Sequence, residues 1–410
     1  MKKIIMLFIL LSLLFVLTTC TNNNKEVSIT PTDEPTNTPQ PTNTPKPQNT
    51  PKPTNTPQID YDDKKLHEIK MNGKWGFINR KGELIIEPQF YDTTGFSEDN
   101  TVCGVQFEEN SDTWGYINNK GEMVIEPKYE YADCFQNDIA NVRINEKTGC
   151  INRKGEIIIE PKFLNIYPFH EGLAQVVVNV EENGKTKEKW GFINKKGEII
   201  LETQYDRTRF FSENLAPVGI RIGENEWQWG YINKEGEYVI EPKYEDANSF
   251  SEGLANVGIS ESYYIKYTYI NKSGERAFNQ YYGLGGFFSN GLAPIALSYL
   301  YGGPPCYIDK EGNVILEVIN NKEDGWTCFW AFEFSEGIAL VLYDKHDKTG
   351  YDYKDKYGFI DMEGNDITGL KFDYAEDFSN GIAKVGIGDR ETGKWGYIDR
   401  NGEYIWEPTN

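Results

Sequence analysis

The chain has 410 residues, 14% of them aromatic, and 39 glycines, which is too rich in Phe, Tyr and Trp for a chain that stays largely unfolded. Its formal charge of −21, from 63 acidic against 42 basic residues, argues against a nucleic-acid partner, because an acidic surface repels phosphate backbones. Three histidines leave little material for imidazole catalysis or a His-rich metal centre.

The chain opens with Met1-Lys2-Lys3, a positive start, followed by an apolar run from Ile4 to Leu17 broken only by Ser12. A spanning helix needs about 20 residues, so this run is too short for one. Charged start, short apolar core and small residues after it describe a secretory signal peptide over residues 1–19. The run ends Leu17-Thr18-Thr19-Cys20, which resembles the lipobox of bacterial lipoproteins. That resemblance implies lipid attachment at Cys20, as the first residue after cleavage, although Thr19 departs from the usual Gly, Ala or Ser. The expected location is the extracytoplasmic face of the cell membrane, held there by the lipid.

Residues 20–58 form a second region. Nine of the 19 prolines lie between Pro31 and Pro57, interleaved with Thr, Asn and Gln, and no apolar periodicity runs through them. With nothing to bury, such a stretch is expected to be a disordered, extended spacer that holds the rest of the chain off the membrane.

From residue 59 to 410 one pattern recurs nine times. Trp75-Gly76-Phe77-Ile78-Asn79 returns at Trp114-Gly115, Trp190-Gly191, Trp229-Gly230 and Trp395-Gly396, with weaker copies at Thr148-Gly149, Thr268-Tyr269, Cys306-Tyr307 and Gly358-Phe359. Successive copies are 39, 34, 42, 39, 38, 38, 52 and 38 residues apart, which leaves no room for an unrelated second domain. After each comes an Asx-x-x-Gly turn, such as Asn79-Arg80-Lys81-Gly82, with the local hydrogen bonding and positive φ of a hairpin. A short strand follows, such as Leu84-Ile85-Ile86, and Glu87-Pro88 is expected to end it because Pro cannot donate to a ladder. A linking stretch such as Phe250-Ser251-Glu252-Gly253-Leu254-Ala255 then leads to the next copy, so eight links join nine hairpins.

The class is therefore all-β: nine tandem antiparallel β-meander units of about 40 residues. Trp75 and Phe77 share one face of a strand, Gly76 and Ile78 the other, so each sheet is apolar on both sides and neighbouring units must cover it. The small Gly is expected to let a ring of the next unit approach. Both a propeller-like ring and an open superhelical array satisfy this, and nine units exceed the usual four to eight blades.

The string Trp-Gly-Phe/Tyr-Ile-Asn/Asp, then Gly-Glu, Ile-Glu-Pro and Phe-Ser-Glu-Gly-Leu-Ala, resembles the bacterial WG-repeat family over residues 64–408. The resemblance implies an exported or surface interaction module. It brings no catalytic motif, so no catalytic residue and no cofactor is expected.

The rest of the sequence offers little chemistry. His67, His170 and His346 fall in separate units, and no nucleophile elbow, phosphate loop or His-Glu-x-x-His occurs. Cys103, Cys134, Cys150, Cys306 and Cys328 include no C-x-x-C pair, so zinc is not expected, and buried free thiols are favoured over a disulfide. Two carboxylate series recur, one at Glu87, Glu126, Glu160, Glu202, Glu241 and Glu407, the other at Glu83, Glu122, Glu156, Glu198 and Glu237. They would line an edge and could draw Ca²⁺ or a basic partner. Without a calcium loop they read as solubilising residues, and no metal site is assigned. Trp227, Trp326, Trp330 and Trp406 lie outside the repeated positions, and Trp326 with Trp330 is a candidate ligand platform in the irregular 322–353 segment. The expected function is a surface-anchored, non-enzymatic module binding an extracellular or envelope protein, peptide or glycan. An exported hydrolase using an Asp/Glu pair, or a structural envelope protein, is the alternative.

Overall fold

The repeated turn sets the local structure. Gly82 N donates to Asn79 O and Asn79 N to Glu83 O, while the Asn79 side-chain oxygen accepts from Lys81 N and Glu83 N. All nine turns close this way, and their glycines have φ between 76° and 84°, a region L side chains enter only at a cost. These hairpins belong to nine antiparallel sheets, six of four strands and three of three, with no helix among the described residues. The computed structural model describes residues 61–409 except 110–112, 137, 224–225, 262–263, 298–304, 319–325, 347–352 and 390–392. The stretch expected to be a signal peptide, Cys20 and the expected spacer lie outside the described residues.

The nine sheets are blades of a ring. The first holds β1 (Leu66–Met71), β2 (Lys74–Asn79) and β3 (Leu84–Phe90), side by side in that order. Blades 2 to 9 place a further strand before the equivalent of β1, usually two residues long, as at Arg207–Thr208 in blade 5. In blades 6 and 8 the equivalent of β3 shrinks to isolated bridges, Tyr267 with Tyr282 and Tyr357 with Phe372. The sequence repeat, counted from one Trp to the next, thus begins in one blade and ends in its neighbour.

Two expectations need correction. Glu87-Pro88 does not end its strand: β3 runs on to Phe90, with Phe77 opposite Ile86 and Trp75 opposite Phe90. The register shift between these pairs is a bulge, and on an edge strand a bulge is where Pro is tolerated. Nor does the Gly of Trp-Gly admit a ring from the next unit. A Cβ on Gly76 would lie 2.6 Å from Ile86 O and 2.7 Å from Pro88 N, so the glycine makes room for the bulge of its own blade.

The two-sided packing is as expected. Phe77 joins Cys103, Val105 and Ile117 of blade 2 on one face, while Ile78 joins Ile382 and Tyr397 of blade 9 on the other. In blade after blade the aromatic ring following Trp-Gly meets the Phe of the next link, with centroids 4.6 to 5.1 Å apart. The turn glycines pack blade to blade as well: Gly121 sits on Ile86, Gly155 on Ile125, Gly197 on Ile159 and Gly236 on Leu201. The cycle closes because Gly82 of blade 1 sits on Ile405 of blade 9. That contact decides between the two architectures, and the array is a nine-bladed β-propeller.

Among the described residues no strand is exchanged at the closing seam, since each sheet is built from consecutive strands. Side chains join blades 9 and 1 instead. Lys384 Nζ meets Glu68 Oε1 at 2.8 Å, Tyr397 OH donates to Glu68 O, and Thr409 Oγ1 donates to Lys70 O. Asn380 Nδ2 donates to Asp62 O while Asp62 N donates to the Asn380 side-chain oxygen. His67 stands edge-on to Tyr397, 5.6 Å away, where the other blades place the link Phe.

Candidate functional site

Antiparallel alternation sorts the connections between two ends of the ring. In a four-stranded blade the link and the Asx turn leave at one end, and the hairpin between the second and third strands leaves at the other.

The first end is committed to holding the ring. Glu213, at φ 54°, accepts from Gly253 N in blade 6 at 2.9 Å and pairs with Lys272 at 3.0 Å. Glu171 with Lys234, Glu252 with Lys310 and Glu336 with Arg400 repeat the pairing. Link serines continue it: Ser212, Ser251, Ser289 and Ser335 each donate to the link Phe carbonyl one blade on. Radii shorten toward the axis of a ring, so the edge where successive blades bond directly is the axial edge. The β3 equivalents then face the rim.

Of the two carboxylate series, Glu83, Glu122, Glu156, Glu198 and Glu237 are engaged in their own turns, each accepting from the turn Asn amide at 2.6 to 3.0 Å. Glu87, Glu126, Glu160, Glu202, Glu241 and Glu407 stand exposed on the rim strands. Among the described residues no group of three or more His, Cys, Asp or Glu could hold a metal ion.

The second end gathers the repeated tryptophans, because Trp opens the third strand of its blade. Trp75, Trp114, Trp190 and Trp395 are half-buried there, and Trp229 is buried. The hairpins at this end differ in length: Asn72-Gly73 makes the first, while strands of ten residues carry the blade 4 hairpin out to Asn183-Gly184. Cations cover several of these rings, with Lys384 Nζ 5.3 Å from both Trp75 and Trp395 and Arg209 5.3 Å from Trp229.

The two tryptophans proposed as a platform are both half-buried. Trp326 packs against the core shared by blades 7 and 8, with Lys345 Nζ 5.7 Å over its ring. Trp330 is half-buried opposite Leu342. Phe329, at the bulge between them, is the ring that faces out, 50% exposed. Trp406 lies in the last rim strand, opposite Tyr397.

Burial shifts the histidines and the thiols away from their ordinary pKa values. Burial lowers the His67 pKa to about 4, and His170, stacked 4.4 Å from Phe210, is lowered by burial too. His346 ends its strand, and its side chain lies outside the described residues. The five cysteines after Cys20 are in no disulfide among the described residues, and burial pushes Cys134 and Cys150 up to about 12 and Cys306 up to about 11.

A family model described as WG containing repeat matches residues 75–109, 114–147, 149–179, 190–220, 229–260 and 357–390. No curated protein matches the chain. Among solved structures, the Pyrococcus horikoshii acylaminoacyl peptidase is similar at a TM-score of 0.37 and 13% identity, over 75% of this chain and 56% of its own. This chain therefore spans little more than half of that protein's length. The β-propeller domain of the trilobed protease from Pyrococcus furiosus gives 0.36 and 13%, over 75% and 98%. Kluyveromyces lactis Hsv2 gives 0.34 and 8%, over 66% and 99%. Likeness at this level says nothing of activity.

Proposed function

The chain belongs to the WG-repeat family, and on that premise we propose that it is a non-enzymatic binding module, lipid-anchored through Cys20 on the extracytoplasmic face of the cell membrane. The observation that carries the reading is the contrast between the two ends of the ring. One end spends its link carboxylates, serines and turn amides on contacts between and within blades. The other offers half-buried tryptophans between hairpins of unequal length. A repeat frame that fixes one face and varies the other suits recognition, and a spacer after Cys20 would hold that face away from the membrane. The partner is an envelope or extracellular protein, peptide or glycan.

Two measurements test this. A fatty-acid probe fed to cells should label the wild type and leave Cys20→Ala unlabelled; equal labelling of both would overturn the anchor. Peptide and glycan arrays probed with the full chain should retain it specifically, and Phe329→Ala with Trp326→Ala should lower retention if blade 8 takes part. Absence of any specific retention, or turnover of a bound polysaccharide, would overturn the binding-module reading.

A further inference from the structure

One face of blade 5 gathers arginines in an otherwise acidic chain. Register places Arg207 opposite Gly219 and Gly219 opposite Trp229, while Arg221 lies opposite Trp227, so all five share one face of the sheet. Two guanidiniums use the same indole, Arg207 at 4.3 Å and Arg221 at 4.7 Å from the Trp227 ring. Arg209 covers Trp229 on that face, and a Cβ on Gly219 would lie 3.1 Å from the Trp229 ring, so this stretch of backbone is open to the ring.

Two neighbouring carboxylates, Asp206 and Asp246, are engaged by other groups, while Glu226 beside Trp227 is exposed. Asp206 takes Lys189 Nζ at 2.9 Å and the backbone N of Arg221 at 2.9 Å. Asp246 takes Arg209 at 2.8 Å, together with Ala247 N and Tyr267 OH. Arg207 and Arg221 are both exposed, and among the described residues neither guanidinium has a carboxylate partner. Desolvation, then the charges of Arg221 and Arg209, lower the Arg207 pKa, and Asp246 opposes them without reversing the direction, so like charges outweigh the nearby carboxylate.

We infer that Arg207, Arg221 and Trp227 form an anion-binding site that takes the carboxylates of an acidic peptide. This rests on the reading of the ring as a binding module and gives it a location. A guanidinium presents a planar fork of N–H donors that a carboxylate matches with two oxygens. Stacking on Trp227 holds both forks in place, so little side-chain freedom is lost on binding. A peptide is favoured over a sugar because the indole that would stack on a pyranose is already occupied by the two arginines.

The test is calorimetric titration of the full chain with hexaglutamate at low ionic strength. Binding is expected, with affinity falling at least tenfold in Arg207→Gln/Arg221→Gln and unchanged in Arg143→Gln, which removes a lone exposed arginine from over Tyr131 in blade 3. Circular dichroism of each variant should match the wild type. No binding of hexaglutamate, equal loss in Arg143→Gln, or tighter binding of oligogalacturonate than of hexaglutamate would overturn the proposal. If the double variant keeps every partner of the wild type on the arrays, the site falls while the binding module stands.

Discussion

The residue four places after each turn Asx changes with it. In blades 1 to 6 an Asn is followed by a Glu, and the amide donates to the carboxylate. In blades 7 and 8 an Asp is followed by an Asn and the roles exchange: Asn313 donates to Asp309 at 2.9 Å and Asn365 to Asp361 at 2.8 Å. Blade 9 has Asp399 and Glu403, and Asn401 supplies the donor. The pair is thus one complementary unit. Asn233→Asp, which faces Glu237 with a second carboxylate, should lower stability by ~1 kcal/mol in urea denaturation, and adding Glu237→Asn should restore it. A double variant no more stable than the single one would show that the pairing carries no energy. The thiols give a second prediction at this scale. Because burial raises the pKa of Cys150 to about 12 and of Cys306 to about 11, a disulfide reagent at pH 8 should react slowly with the native chain. Unfolding in urea should release the full rate, and rapid native labelling at Cys150 would contradict the sealed packing.

At the scale of the element, the third strand and the rim strand act as a pair. Where Gly precedes the ring residue, a Pro bulge usually lies across from it, as with Gly230 and Pro242 or Gly396 and Pro408. In blade 7, Cys306 occupies the glycine place, and the rim strand Val314–Glu317 has no Pro and no bulge opposite that position. In blade 6 the place is Thr268, whose hydroxyl donates to Gln280 O, and the regular rim strand is lost. Blade 4 keeps the bulge with Thr203 in the proline place, so the glycine matters more than the proline. A methyl group on Gly230 would lie 2.5 Å from Ile240 O and 2.7 Å from Pro242 N, both backbone atoms that cannot swing aside. Gly230→Ala should therefore cost ~2–3 kcal/mol and lower the melting temperature by several degrees, whereas Pro242→Thr should be nearly neutral. An alanine variant that melts like the wild type would refute this account of the motif.

For the whole molecule the seam is the decisive feature. Among the described residues blade 1 has three strands and no counterpart of the others' first strand, and the ring closes on Lys384 with Glu68, on Tyr397, and on His67 beside the Tyr397 ring. Lys384 is buried, so Lys384→Met removes the cation that meets Glu68 across the seam and should destabilise the ring by ~1–3 kcal/mol. Faster proteolysis at the seam should accompany it, and unchanged protease resistance would mean that the ion pair does not hold the ring. His67 adds a pH dependence. Its pKa is lowered by burial first and by Lys65 next, against an opposing effect of Glu68. The unfolded chain therefore takes up the proton first. Stability is full above about pH 6.5 and is lost as the pH falls toward about 4, by up to ~3 kcal/mol. His67→Phe keeps an aromatic ring beside Tyr397 and should flatten that part of the profile; an unchanged slope between pH 6.5 and 4 would place the titration elsewhere.

Sequence alone determined the all-β class, the count of nine units, the turn and the two-sided sheets, because each follows from residues within a few positions of one another. The Asn79 to Gly82 turn closes on its own side chain and backbone, and the alternation around Trp75 requires no knowledge of what covers each face. Only the tertiary structure decided whether the array curves into a ring, why Trp is followed by Gly, and which ring in blade 8 faces out. Closure depends on Lys384 meeting Glu68 across 316 positions, and no local pattern fixes the sum of small rotations that brings them together. The glycine reads as an opening for a neighbour until the register shift at Ile86 is known, because a bulge moves backbone rather than side chains into the space. Phe329 stands out rather than Trp326 because burial is settled by the blade that packs alongside, and that blade comes from a different stretch of the chain.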